Sequence, residues 1–160
     1  MRLSIGQANI AKDQGVRPAA DFGSEPGTYA LLLSSATDGV IQVGRRGGMQ
    51  VRPGFYVYVG SALGPGGVRA RLAHHLRCAQ RPHWHIDYLR RSTTVEEIWC
   101  CYDRSPREHV WAACMAALRG ASVPMAGFGS SDCDSETHLF FFDKRPARES
   151  FNRQLRKMRS

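Results

Sequence analysis

A chain of 160 residues, 42% hydrophobic and 22% charged, supplies one soluble core and is too short for a second domain of ordinary size. Its formal net charge of +8 favours a polyanionic partner, nucleic acid above all. No run of 18 apolar residues occurs, the amino terminus lacks a signal-like stretch, and the five cysteines are odd in number and scattered, so a cytoplasmic protein with reduced thiols and no membrane contact is expected.

Residues 1–24 are polar and without a clean period, and they read as a flexible arm ahead of a domain spanning 25–143. Gly27-Thr28-Tyr29-Ala30-Leu31-Leu32-Leu33 opens a first strand. Ala36-Thr37-Asp38-Gly39 is a turn signal that would fold a second strand, Val40-Ile41-Gln42-Val43, back on it as a hairpin. Gly44-Arg45-Arg46-Gly47-Gly48 is a basic loop, and Gly54-Phe55-Tyr56-Val57-Tyr58-Val59-Gly60 is a third strand. Val68, Leu72 and Leu76 recur at intervals of four and define an amphipathic helix over 68–79. Arg71 and His75 share a second row of that helix, about 6 Å apart. Pro82 suits the first turn of another helix.

A strand over 93–102 follows, then Ser105-Pro106-Arg107-Glu108, the signature of a helix start with a capping box. That helix carries Val110, Trp111, Cys114, Met115 and Leu118, and Gly120 ends it. A Gly- and Ser-rich loop over 121–137 is long enough to be functional. The closing run His138-Leu139-Phe140-Phe141-Phe142 is apolar enough to expect an interior place in the sheet. Residues 144–160 read as a basic tail that turns helical on an anionic partner. Together these elements predict an α+β fold, a small mainly antiparallel sheet flanked by three helices.

Gly27-Thr28-Tyr29 and Tyr58-Val59-Gly60 resemble the two signatures of the GIY-YIG nuclease superfamily, and the match continues through Gly60-Ser61-Ala62 into the helix bearing Arg71 and His75. With Trp84-His85-Ile86-Asp87-Tyr88-Leu89 and Gly127-Phe128-Gly129-Ser130-Ser131-Asp132-Cys133, the chain is similar to a branch described as a domain of unknown function, found alone or fused to endonuclease III-type DNA glycosylases. Two features depart from the superfamily pattern. An extra strand and the basic loop separate the two signatures, and Pro124 is not followed by the asparagine of the later Pro-x-x-Asn element.

The resemblance implies a metal-dependent DNA endonuclease or structure-specific nuclease of DNA repair, with a non-catalytic nucleic-acid-binding module serving a repair partner as the alternative. It implies Tyr58 as the group that deprotonates or orients water, Tyr29 as its hydrogen-bonded support, Arg71 on the phosphate, and His75 as a proton donor or phosphate contact. A turn at Gly66-Gly67 with free amides would add to the anion site. Glu108 is the implied ligand of Mg²⁺ or Mn²⁺, although its place in Ser105-Pro106-Arg107-Glu108 equally fits a capping glutamate; Glu96 and Glu97 are the fallback carboxylates. His74 is expected to face solvent or the flank. Arg45, Arg46, Arg69, His85, Lys144, Arg145, Arg153 and Arg156 are the candidate contacts to DNA, with RNA as an open second substrate. His83, His85, Asp87, Cys133 and His138 match no zinc spacing; His85 and Asp87 instead either contact DNA or brace the 130–133 loop.

Overall fold

The computed structural model describes residues 16–130 and 135–159. Strands β1 (Gly27–Ser35), β4 (Gly54–Ala62), β5 (Thr94–Tyr102) and β6 (Leu139–Phe142) form one antiparallel sheet in the order β5-β1-β4-β6. Two further strands, β2 (Gly39–Gln42) and β3 (Gly48–Val51), pair only with each other. Helices α1 (Gly67–Arg77), α2 (His85–Arg90), α3 (Glu108–Ala116) and α4 (Arg148–Arg159) complete the described fold. The α+β expectation holds, with four helices in place of three.

Alternation along each strand sorts the side chains into two cores. Tyr29, Leu31 and Leu33 of β1, with Tyr56 and Tyr58 of β4 and Phe141 of β6, pack against Val68 and Leu72 of α1 and Ile86 and Leu89 of α2. The opposite face buries Ala30, Leu32, Val57, Val59, Trp99, Phe140 and Phe142 beneath Trp111, Cys114 and Met115 of α3 and Phe151 of α4. Both faces are therefore covered, which explains why β1 reads as a nearly continuous apolar run. Despite the insertion between the signatures, β1 and β4 pair directly, and Tyr29 lies opposite Gly60.

Several elements depart from the sequence expectation. The hairpin is β2–β3, turning through residues 43–47, and not β1–β2; Val43 N–H donates to Gly47 O to close it. Strand β6 is an edge strand after all. Its side chains are buried because each face lies in one of the two cores, and the Ser122 backbone exchanges two hydrogen bonds with Phe141 along the free edge. The basic tail is a folded helix, since Phe151 is buried in the second core and Leu155 packs against it.

Part of the amino-terminal arm is likewise integral: a short 3₁₀ turn at Ala19–Asp21 leads to buried Phe22. The carbonyls of Gly23 and Glu25 then accept amides of the first turn of α1. Residues 1–15 of that arm lie outside the described residues.

Candidate active site

The lowest layer of the site is a buried phenol and imidazole. The Tyr29 ring lies across its strand partner Gly60, where a β-carbon would sit 2.5 Å from the phenolic oxygen and 2.6 Å from the ring, so only glycine fits. Tyr29 is wholly buried, and its hydroxyl is 2.6 Å from His75 Nε2. Burial, then the neighbouring Tyr58, keeps the Tyr29 pKa well above the ordinary phenol value, with Arg71 opposing. His75 is equally buried, its Nδ1 has no hydrogen-bond partner among the described residues, and desolvation pushes its pKa down to about 3. It is a neutral imidazole behind the cleft and not a surface contact for phosphate, which corrects the role expected from the resemblance.

This burial has a measurable consequence. In the unfolded chain His75 takes up its proton near its ordinary value of 6.5, but the folded protein resists until about 3. Stability from this group is therefore complete above about pH 6.5 and falls on acidification by about 1.4 kcal/mol per pH unit, roughly 2 kcal/mol by pH 5. Urea unfolding at pH 7 and pH 5 measures it, and His75→Gln should flatten the dependence. An equally steep acid loss in the variant would place the effect elsewhere.

Above this layer opens a cleft of about 270 Å³ lined by Tyr58, Arg71, Trp84, Glu108, Gly129 and His138, among others. Three of the five predicted chemical residues thus meet at one surface, and Tyr29 and His75 lie directly beneath. The Tyr58 ring stands edge-on to His75, with centroids 6.0 Å apart, and burial followed by the Glu108 charge raises its pKa above the ordinary phenol value while Arg71 lowers it. Arg71 holds its guanidinium carbon 4.4 Å above the Trp84 ring, a cation–π contact that fixes an otherwise mobile cation. Arg71 and Trp84 also line a neighbouring hollow of about 340 Å³.

Trp84 is held from below by Asp87. Its carboxylate accepts the amides of His83 at 2.7 Å and Trp84 at 3.0 Å, and it meets His74 Nε2 at 2.9 Å. Burial alone would raise the Asp87 pKa, but the two amides and His74 bring it below the ordinary carboxylate value. His74 is therefore a partner of Asp87 and not a solvated side chain. His74, His75 and Asp87 do offer three ligand-type atoms within 4.8 Å of one another. The bonds to His83, Trp84 and His74 already engage Asp87, which accounts for it as a brace.

Glu108 is not the capping glutamate that its motif allows. The Ser105 amide is taken by Asp103 Oδ1 at 2.9 Å, Arg107 Nε bonds the other Asp103 oxygen at 2.7 Å, and α3 begins at Glu108 itself. Released from that duty, the Glu108 carboxylate faces the cleft, with Oε2 3.7 Å from His138 Nδ1. His138 is the site residue that sequence reasoning did not place here. Its backbone is pinned on both sides, its amide donating to Phe128 O at 2.8 Å and its carbonyl accepting from Val59 at 2.9 Å. Burial lowers its pKa, with Glu108 pulling the other way.

Other expectations fail for identifiable reasons. The amides at the start of α1 are occupied: Gly67, Val68 and Arg69 donate to the carbonyls of Gly64, Glu25 and Gly23, and a β-carbon at Gly67 would strike the Ser24 and Glu25 carbonyls. These three amides therefore offer no anion nest at that turn. The fallback carboxylates are engaged on β5, Glu96 accepting from Ser34 Oγ and Glu97 from the Trp99 indole, and both pair with Arg145. Arg145 is thereby neutralised locally.

Of the two roles expected of His85, the structure shows the brace: its Nδ1 accepts the Gly129 amide at 2.8 Å, in the loop that forms one wall of the cleft. The Arg46 guanidinium packs on Gly127 of that loop, and Arg69 Nε donates to Phe22 O. Arg45, Lys144, Arg153 and Arg156 are exposed, and none of the eight candidate contacts to DNA is among the residues lining the cleft. Ser131, Asp132 and Cys133 lie outside the described residues.

The fold and site define a small α+β domain with a polar cleft beside the strand that carries the second tyrosine. The chain belongs to the family described as Domain of unknown function DUF123, whose model matches residues 28–160. That span includes α4. A comparison with curated proteins returns no match, and neither does one with solved structures. No described helix is long and apolar enough to cross a membrane.

Proposed function

We propose that the protein is a cation-dependent nuclease of the GIY-YIG type that hydrolyses phosphodiester bonds in DNA and serves DNA repair. The observation that carries this reading is the convergence of Tyr58, Arg71 and Glu108 on one cleft, from a strand and two helices that share no local sequence. A single carboxylate beside a cleft of about 270 Å³ fits Mg²⁺ or Mn²⁺, which keep much of their water when bound by few protein groups. Such an ion supplies charge stabilisation at the phosphate and the leaving oxygen.

The residues of the chain do the rest. Arg71, held over Trp84, presents a fixed cation to the phosphate oxygens. Tyr58 is a protonated phenol in the cleft, where Glu108 disfavours its ionisation and Arg71 favours it. It accepts a hydrogen bond from the attacking water and orients it; as the water oxygen adds to phosphorus and releases its proton to bulk water, the bond to the leaving oxygen breaks and that oxygen takes up a proton from solvent. The buried hydrogen bond between Tyr29 and His75 ties β1, which pairs with the Tyr58 strand, to the Arg71 helix.

Single-turnover cleavage of labelled nicked, flapped, branched and duplex DNA, with and without Mg²⁺ or Mn²⁺, tests the reading. Tyr58→Phe should leave DNA binding intact and slow cleavage by about 100-fold. Arg71→Ala should slow it by about 100- to 1,000-fold with a smaller loss of affinity. Binding without any metal-dependent cleavage would instead support a non-catalytic module that presents DNA to a repair partner. The occupied amides at the start of α1 and the absent Pro-x-x-Asn asparagine favour that second reading.

A further inference from the structure

We propose that His138 is a second protein ligand of the cation held by Glu108, so that the site is a carboxylate–imidazole pair that prefers a transition-metal dication to Mg²⁺. This rests on the reading of the cleft as a cation site, but not on what the cation is used for. The two donor atoms come from elements far apart in the chain, Glu108 from the first turn of α3 and His138 from the residue before β6, and both line the same cleft. Their separation of 3.7 Å is too long for a hydrogen bond. It suits two donors on one ion, since metal–ligand bonds of about 2.1 Å at angles of about 90–120° place the donors roughly 3.0–3.7 Å apart.

The imidazole is also mounted as a ligand should be. Its backbone is fixed by Phe128 and Val59, and the Gly129 backbone hydrogen-bonds the ring, the outer support that sets the orientation of metal-bound histidines. Glu108 is partly exposed, leaving one side of the pair open to water and substrate. Donor chemistry then decides the metal. Mg²⁺ takes oxygen ligands, whereas Mn²⁺ and the later first-row dications accept imidazole nitrogen with rising affinity.

Mn²⁺ binding to the full chain, followed by electron paramagnetic resonance without nucleic acid, tests this directly. Wild-type protein should bind Mn²⁺ more tightly than Mg²⁺ in competition, and pulsed spectra should show coupling to an imidazole nitrogen. His138→Gln, checked for folding by thermal melting, should lose that coupling and weaken Mn²⁺ by roughly tenfold or more, leaving Mg²⁺ affinity unchanged. Glu108→Gln, at a partly exposed position, should lose both ions, and it carries the test if the buried His138→Gln variant fails to fold. Nitrogen coupling that survives Glu108→Gln would put the ion elsewhere, at His74, His75 and Asp87, and overturn the proposal. So would a Mn²⁺ site without nitrogen coupling. Protein that binds Mn²⁺ with nitrogen coupling but cuts no DNA would sink the nuclease reading and leave this one standing; a Mg²⁺-dependent nuclease with no nitrogen coupling would do the reverse.

Discussion

Glu108→Gln is expected to reduce cation-dependent DNA cleavage by about 1,000-fold or more while leaving DNA affinity equal or slightly improved. The substitution keeps the shape of the side chain and removes the carboxylate charge that faces Tyr58 and Arg71 across the cleft. Helix α3 should not suffer, because the capping contacts at its start belong to Asp103 and not to Glu108. Loss of a negative charge near a polyanion favours binding, so affinity and rate should move in opposite directions. Single-turnover rates and equilibrium binding on one labelled substrate measure both, and a Glu108→Gln variant that cuts at the wild-type rate in Mg²⁺ would remove Glu108 from the mechanism.

The second large effect concerns the last helix. Phe151 stacks on Trp99 with centroids 5.5 Å apart and meets Trp111 edge-on at 5.0 Å, and it is 2% exposed. Phe151→Ala should therefore cost about 3–5 kcal/mol, a large share of the stability of a domain this size. Removing everything after Asp143 should do more, exposing the face formed by Trp99, Trp111 and Phe142 and producing a chain that does not fold cooperatively. Chemical denaturation of the point variant checks this; a midpoint shift worth less than about 1 kcal/mol would mean that α4 is only loosely attached. Any contribution of its basic residues to DNA binding has to be read from surface substitutions such as Arg153→Gln, because truncation confounds charge with folding.

The two layers of the site differed in how visible they were from sequence. Strands with period two and glycine boundaries were legible, as were the α1 stripe of Val68 and Leu72 and the spacing that sets Arg71 and His75 on one helix. The pairing of β2 was not, because turn signals flank it on both sides and local chemistry does not choose between a partner before it and one after it. Helix α4 was hidden by its charge: Phe151 and Leu155 have helical spacing, but a stripe that narrow gains meaning only against a waiting apolar face.

The ambiguity at Glu108 turned on Asp103, an acid two residues outside the capping motif that took over the amide. His138 could not be placed from sequence, since 30 residues separate it from Glu108 and only the β4–β6 pairing brings it to the cleft. The occupied amides of α1 had the same cause, because two of their acceptors, Gly23 and Glu25, lie more than 40 residues upstream in a segment without periodicity.

The mounting of Trp84 gives this protein a built-in optical reporter. Of its three tryptophans, Trp99 and Trp111 are each 3% exposed in the second core, while Trp84 alone is partly open, beneath a guanidinium and among the imidazoles of His74, His75 and His83. Water-soluble quenchers should reach that one indole, and any ligand that draws Arg71 away or fills the space beside it should change its emission. Occupancy of the cleft can thus be followed in unlabelled protein, on the timescale of mixing, before any bond is cut.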